Sequence, residues 1–89
     1  MARRELTRVA EALRSAADEA DAPESRDRLR DQAEQFETMA GAARGPDHGR
    51  LARHEHILKE IKDTDPDAGT YIENALDAIH AYRETLEGV

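Results

Sequence analysis

Three breaks that contain proline divide this chain of 89 residues into four segments, and this division limits the folds open to it. The breaks are Asp21-Ala22-Pro23, Arg44-Gly45-Pro46 and Asp65-Pro66-Asp67. Proline fits only the first turn of a helix, so each break ends one helix and begins the next. Gly45 favours a helix end, and Asp65 is placed to cap the fourth helix. We therefore predict helices over residues 3–20, 23–43, 47–63 and 66–87.

Each segment has apolar residues at spacings of three and four, the repeat of one helical face. The fourth segment keeps this repeat without a fault, at Ala68, Ile72, Ala75, Ile79, Tyr82 and Leu86. The predicted inward positions of the other three are Leu6, Val9, Leu13, Ala16 and Ala20; Leu29, Gln32 or Ala33, Phe36, Met39 or Ala40, and Ala43; and Leu51, His54, Leu58 and Ile61. These positions predict one buried stripe per helix.

Connections of two to four residues force consecutive helices to run antiparallel. We therefore predict an all-α fold, a four-helix antiparallel up-and-down bundle with short Pro/Gly-containing loops, forming a single helical domain over residues 1–89. Crossing angles near 20° are typical of such bundles. The alternative is a three-helix bundle whose first helix is detached or swapped onto a neighbouring copy.

The distribution of large apolar side chains favours self-association. Ten of the sixteen between residues 2 and 88 fall after residue 50, so the last two helices carry more apolar surface than one stripe requires. The surplus consists of Ile57, Tyr71, Leu76 and Ala78. These residues either widen the contact inside one bundle or form a two-fold interface, and we predict a homodimer through helices 3 and 4.

The charge pattern indicates a high-salt environment. The chain has 20 acidic and 13 basic residues, a net charge of −7, and Lys59 and Lys62 are its only lysines. In molar salt the Debye length is about 3 Å, so the acidity serves hydration more than long-range attraction. Most of the acid excess lies in residues 54–89, which have nine acids and three bases, whereas residues 1–53 have 11 acids and 10 bases.

Several classes of protein are disfavoured by the composition. The absence of cysteine excludes disulfides, thiolate metal sites and a cysteine nucleophile. Charged residues interrupt the N-terminal segment, and no run of about eighteen apolar residues occurs, so we expect a cytoplasmic protein without a secretory signal or membrane span. No serine or threonine lies in a nucleophile-elbow motif, and no glycine-rich phosphate loop is present. We therefore predict no enzyme, no catalytic residue and no cofactor.

The segment GPDHGRLARHEH contains three histidines, His48, His54 and His56, which are weak candidates for metal ligands. On a helix, His54 and His56 point about 200° apart, and His48 shares a face with Glu55 two turns away. A metal would need ligands from another helix or chain. His54 takes the place of an apolar residue and is predicted to lie near Phe36, either as a core histidine with one hydrogen bond or as a pH-responsive element.

Arg44, Arg50 and Arg53 are weak candidates for an anion site, because they lie near the predicted start of a helix. Nucleic-acid binding is not expected, since the chain lacks a dense basic face with interspersed aromatic residues. For the buried Tyr82 hydroxyl we predict Asp47 or His48 as hydrogen-bond partner. The polar residues Glu73, Asp77, His80 and Glu84 are predicted to form a solvated face rather than a di-metal site.

The residues GPDHGRLARHEH and the final HAYRETLEGV resemble a family of small helical proteins of halophilic archaea to which no function has been assigned. The resemblance covers most of the chain and is strongest over residues 45–89. It implies a high-salt cytoplasm, and it carries over no activity, substrate, ligand or site residue, because none is assigned to that family. We predict a non-catalytic oligomeric interaction or structural module with an unidentified protein partner. The alternative is an anion- or metal-binding regulatory protein that uses the His48–His56 segment.

Overall fold

A computed structural model describes residues 3–86 of the chain, which form four α-helices in the predicted order. The helices are α1 (Arg4–Glu19), α2 (Pro23–Gly41), α3 (His48–Thr64) and α4 (Gly69–Arg83), and a 3-10 turn over Pro66–Ala68 precedes α4. The ends of α1, α2 and α3 fall within about two residues of the predicted ones. The fourth helix is shorter than predicted, and its predicted end at residue 87 lies outside the described residues.

The all-α four-helix bundle is confirmed. α1 packs against α2 and α4, whereas α3 packs against α4 and only lightly against α2. Within residues 3–86 the backbones of the diagonal pairs α1–α3 and α2–α4 do not approach closely, so the cross-section is a square with α1 and α3 at opposite corners. The alternative with a detached first helix is wrong for the described chain, because α1 makes the most extensive contacts of the four.

Among residues 3–86, the core contains twenty buried hydrophobic residues, and seven of them are alanines. Alanine lets helix backbones approach closely but buries little apolar area per residue, so this core is densely packed but contains little apolar volume. The predicted inward positions are buried with few exceptions. Ala43 is exposed because α2 ends two residues earlier, at Gly41, and Leu86 is half-buried beyond the end of α4.

α2 has no side-chain cap of its own, and both of its ends are held by residues distant in sequence. At its start, the Asp65 carboxylate accepts hydrogen bonds from the backbone N–H groups of Asp21, at 3.0 Å, and Ala22, at 2.9 Å. At its end, the Arg3 guanidinium donates to the carbonyl oxygens of Ala42 and Ala43. An acid at the start and a base at the end both match the helix dipole.

Asp65 holds the predicted N-cap position directly before Pro66, but its carboxylate mainly serves the start of α2. Its side chain makes no capping hydrogen bond to the 3-10 turn that it precedes. Instead it reaches across to the connection between α1 and α2, because the antiparallel arrangement brings the end of α3 beside the start of α2. These backbone donors lower the pKa of Asp65, with Ala22 the larger contributor and Asp21 the next.

The predicted hydrogen bond of Tyr82 is also wrong. Its buried ring places the hydroxyl over Gly45, so that a Cβ at this position would overlap the hydroxyl oxygen. Within residues 3–86, Tyr82 makes no hydrogen bond to Asp47 or His48. The absence of a side chain at Gly45 lets the connection between α2 and α3 lie directly on the end of α4.

Candidate functional site

The three histidines of the candidate metal site point in three directions. His48 Nδ1 accepts a hydrogen bond from Arg83 Nε at 3.1 Å, and His54 Nδ1 lies 2.6 Å from Gln32 Oε1. The exposed His56 lies 3.2 Å from Glu60, one turn further along α3. Within the described range, no group of three or more histidine or acidic residues could hold a metal ion. The metal interpretation thus lacks a shared ligand geometry, because the helical turn separates the three rings.

A polar cluster joins α3 to the end of α4 and was not recognised in the sequence. The Glu55 carboxylate, whose side chain is 10% exposed, accepts from Arg83 Nη1 at 3.0 Å and lies 3.4 Å from His80 Nε2. Arg83 also donates to His48, so one guanidinium spans the two-turn separation between His48 and Glu55. The only sequence signal was the shared helical face of those two residues. This cluster fixes the α3–α4 contact.

The second polar feature is the α2–α3 groove, a cavity of about 620 Å³ that remains open because α3 touches α2 only lightly. Gln32 and Gln35 of α2 face the first half of α3 across it. Its lining residues are Gln32, Gln35, Asp47, Gly49, Arg50, Arg53, His54 and Ile57. Of the three arginines in the predicted anion site, Arg50 and Arg53 line the groove and Arg44 does not.

In the α2–α3 groove, the uncharged side chain of Gln32 and the buried ring of His54 lie beside two positively charged arginines, Arg50 and Arg53. His54 is buried, and its ring packs edge-on against Phe36 with centroids 4.9 Å apart, as the helical register predicted. Burial lowers the pKa of His54, and the charges of Arg50 and Arg53 lower it further. Within the described chain, neither arginine forms an ion pair.

The backbone at the start of α3 is already capped by one of the chain's own side chains. Asp47 Oδ1 accepts the Arg50 backbone N–H at 2.8 Å and caps the helix. The carboxylate therefore occupies the position at which an external anion would bind a helix N-terminus. The arginine side chains, which extend along the α2–α3 groove, remain as donors for a ligand.

A second cavity, of about 490 Å³, lies on the opposite side of the bundle between α1 and α4. We call it the α1–α4 groove; its lining residues are Glu5, Arg8, Glu11, Ala12, Ser15, Tyr71, Asn74, Asp77, Ala78 and Ala81. Tyr71 is the large hydrophobic residue that the described chain leaves exposed, at 37%. Asp77 and the neighbouring Glu73 are exposed, as the predicted solvated face requires.

The surplus apolar residues of the last two helices do not share one surface. Ile57 lines the α2–α3 groove, whereas Tyr71 and Ala78 line the α1–α4 groove on the opposite side. Leu76 is buried in the core. The broad stripe predicted from the sequence is therefore divided between the interior and two separate grooves.

Fold and site together define a small, charged helical-bundle domain with two surface grooves. No helix within residues 3–86 combines the length and apolarity needed to cross a bilayer. The chain belongs to the Family of unknown function (DUF7553), which matches residues 1–85. No curated protein and no solved structure matches it. The comparisons thus place the chain in a family without assigning an activity. They agree with the resemblance noted from the sequence only in that the family has no known function.

Proposed function

We propose that this domain is a non-catalytic interaction module that acts as a homodimer in a high-salt cytoplasm. The observation that carries the proposal is the position of Tyr71, an exposed large hydrophobic side chain within the α1–α4 groove. Isolated exposed apolar residues are common, but this one adjoins a floor of small residues, Ala12, Ala78 and Ala81. Such a floor lets a helix of a partner approach closely.

A second copy of the chain fits this groove by charge. Arg8 lies among the acids Glu5, Glu11 and Asp77. A two-fold axis would bring the arginine of each copy opposite acids of the other, which is the self-complementarity that such interfaces require. The outer surface between α3 and α4 is less suitable, because ion pairs such as Lys62–Glu73 already occupy it. We therefore propose that the dimer interface lies on α1 and α4, instead of on α3 and α4 as the sequence predicted.

The net charge of the chain supports the proposed high-salt setting. Two copies with net charges of −7 repel each other in dilute buffer, whereas molar salt reduces the Debye length to about 3 Å and removes most of this repulsion. Salt also strengthens apolar association. The non-catalytic character rests on the sequence, which has no cysteine, nucleophile-elbow serine or glycine-rich phosphate loop.

Sedimentation velocity in 2 M and 0.1 M KCl tests this proposal. The expected species in 2 M KCl has twice the chain mass of 9.9 kDa, and its dissociation constant rises in 0.1 M KCl. Tyr71→Glu is expected to give the monomer. Thr70→Glu, which adds the same charge at an exposed neighbour outside the groove, is the matched control and is expected to dimerise. A wild-type monomer at millimolar concentration in 2 M KCl overturns the proposal.

The alternative is an anion- or metal-binding regulatory protein that uses the His48–His56 segment. The structure offers support for anion binding by this segment. Arg50 and Arg53 line the α2–α3 groove without ion-pair partners among the described residues. The metal half lacks converging ligands in that same part of the chain. Anion binding is therefore the second candidate function, and it is independent of dimerisation through the α1–α4 groove.

A further inference from the structure

We propose that the α2–α3 groove binds a small organic oxyanion, in which a carboxylate or phosphate group is attached to a short apolar group. Arg50 and Arg53 hold the oxyanion, Gln32 donates to it from the floor, and Ile57 contacts the apolar part. The inference rests on the anion-binding candidate and names its ligand class and contacts.

The two arginines are arranged to act together. Residues three apart lie on the same side of a helix, and both side chains line the α2–α3 groove. A guanidinium group presents a planar fork of donors that matches the oxygen geometry of carboxylates and phosphates. Because neither Arg50 nor Arg53 is engaged in an ion pair within residues 3–86, an anion does not have to displace a carboxylate from them.

The floor of the groove supplies a hydrogen-bond donor. Gln32 and His54 are each 5% exposed, and the Gln32 Oε1 is engaged by the imidazole. The amide NH₂ group of Gln32 is thereby directed away from the ring, and it has no acceptor in the described part of the chain. This NH₂ group belongs to a residue that lines the α2–α3 groove, so a ligand oxygen there gains a hydrogen bond.

A comparison with another arginine-lined cavity supports anion binding in the α2–α3 groove. Arg14 and Arg30 line a cavity of about 260 Å³ together with Asp18 and Glu34, and Arg14 also pairs with Glu37 at 2.6 Å. The charges in that cavity are balanced by its own acids. In the α2–α3 groove the acid is Asp47, and it already accepts the backbone N–H of Arg50.

The size and lining of the groove indicate a ligand larger than an inorganic ion. Its volume of about 620 Å³ lies within the range of roughly 300–1,000 Å³ that is typical of small-molecule sites. Ile57 is half-buried on its wall and offers apolar surface beside the arginines. An oxyanion alone leaves the apolar surface of Ile57 exposed to water, whereas an attached apolar group buries it.

Side-chain NMR of the full chain at constant ionic strength tests the proposal, with phenyl phosphate, benzoate and inorganic phosphate as probes. Phenyl phosphate or benzoate is expected to shift the Gln32 amide and His54 imidazole signals saturably. The Arg50→Gln/Arg53→Gln variant is expected to bind about tenfold more weakly or worse. Arg30→Gln removes an exposed arginine from α2 outside this groove and is expected to stay within about twofold of the wild type.

The second arm tests the apolar contact and separates the two head groups. Ile57→Ala is expected to weaken phenyl phosphate about threefold to tenfold and to leave inorganic phosphate unchanged. The tighter of phenyl phosphate and benzoate identifies the preferred head group. The proposal is overturned if no probe saturates the Gln32 and His54 shifts by 50 mM, or if Arg30→Gln weakens binding as much as the double variant. Sedimentation of the double variant reports on dimerisation separately.

Discussion

α1 and α3 lie diagonally opposite each other in the bundle, and they are held by different interactions. The buried residues of α1 are all apolar: Leu6, Val9, Ala10, Leu13, Ala16 and Ala17. The buried face of α3 includes His54 and Glu55, which depend on Gln32 of α2 and Arg83 of α4. An apolar stripe needs only apolar neighbours, whereas a buried polar group needs one particular partner.

The same difference explains where the candidate binding chemistry lies. Alanines let α1 settle closely against α2 and α4. α3 has bulky polar side chains towards α2, touches it only lightly and leaves the α2–α3 groove open. α1 thus makes the most extensive contacts in the described bundle, and α3 borders the groove in which we propose that a ligand binds.

The largest expected effect compares two fully buried leucines. Leu13→Ala in α1 is expected to lower the free energy of unfolding by about 3–4 kcal/mol. Leu51→Ala in α3 is expected to lower it by about 2 kcal/mol, because a lightly packed helix can move to fill the cavity. Urea denaturation followed by circular dichroism gives both values. Equal losses would remove the distinction between the two helices.

An intermediate effect is expected at Asp65, the residue that follows α3. Asp65→Ala deprives the Asp21 and Ala22 N–H groups of their acceptor and is expected to lower the thermal midpoint by about 5 °C at pH 7. Asp67→Ala, at an exposed neighbour, is the control and is expected to have little effect.

The Asp65 effect should also depend on pH. The folded-state pKa of Asp65 lies below its ordinary value of 3.8, so its stabilisation is complete above that value and is lost as the pH falls through the folded-state pKa. The midpoints of wild type and Asp65→Ala should therefore converge in strong acid. A difference that stays constant down to pH 2 would contradict the carboxylate's role as acceptor.

The smallest expected effect concerns His54. Burial lowers its folded-state pKa below 6.5, so below about that pH the unfolded chain binds a proton that the folded chain does not. Stability should fall as the pH decreases from 7 to 5, and His54→Leu should reduce this fall by a few degrees in thermal midpoint. His56→Leu, at an exposed histidine, should retain it. Identical pH profiles for all three proteins would leave His54 with a packing role alone.

The sequence predicted more of the helices than of the site. The proline breaks and the spacing of Leu6, Val9 and Leu13 depend on local backbone and side-chain geometry, so they can be read along the chain. The hydrogen bonds from Arg83 to His48 and Glu55 could not be predicted in this way, because these residues are brought together only by the packing of α4 on α3. Arg50 and Arg53 were identified as candidates, but the groove that they share with Gln32 depends on how lightly α3 touches α2.

By itself the sequence determined four helices, their antiparallel order and the apolar face of each, because proline, glycine and the 3.6-residue repeat act over a few residues. Tertiary structure alone decided which distant groups complete one another. Asp65 caps the start of α2, Arg3 holds its end, and Gly45 accommodates the Tyr82 hydroxyl. A polar side chain can serve any nearby donor or acceptor, so its partner is fixed only once the helices have packed.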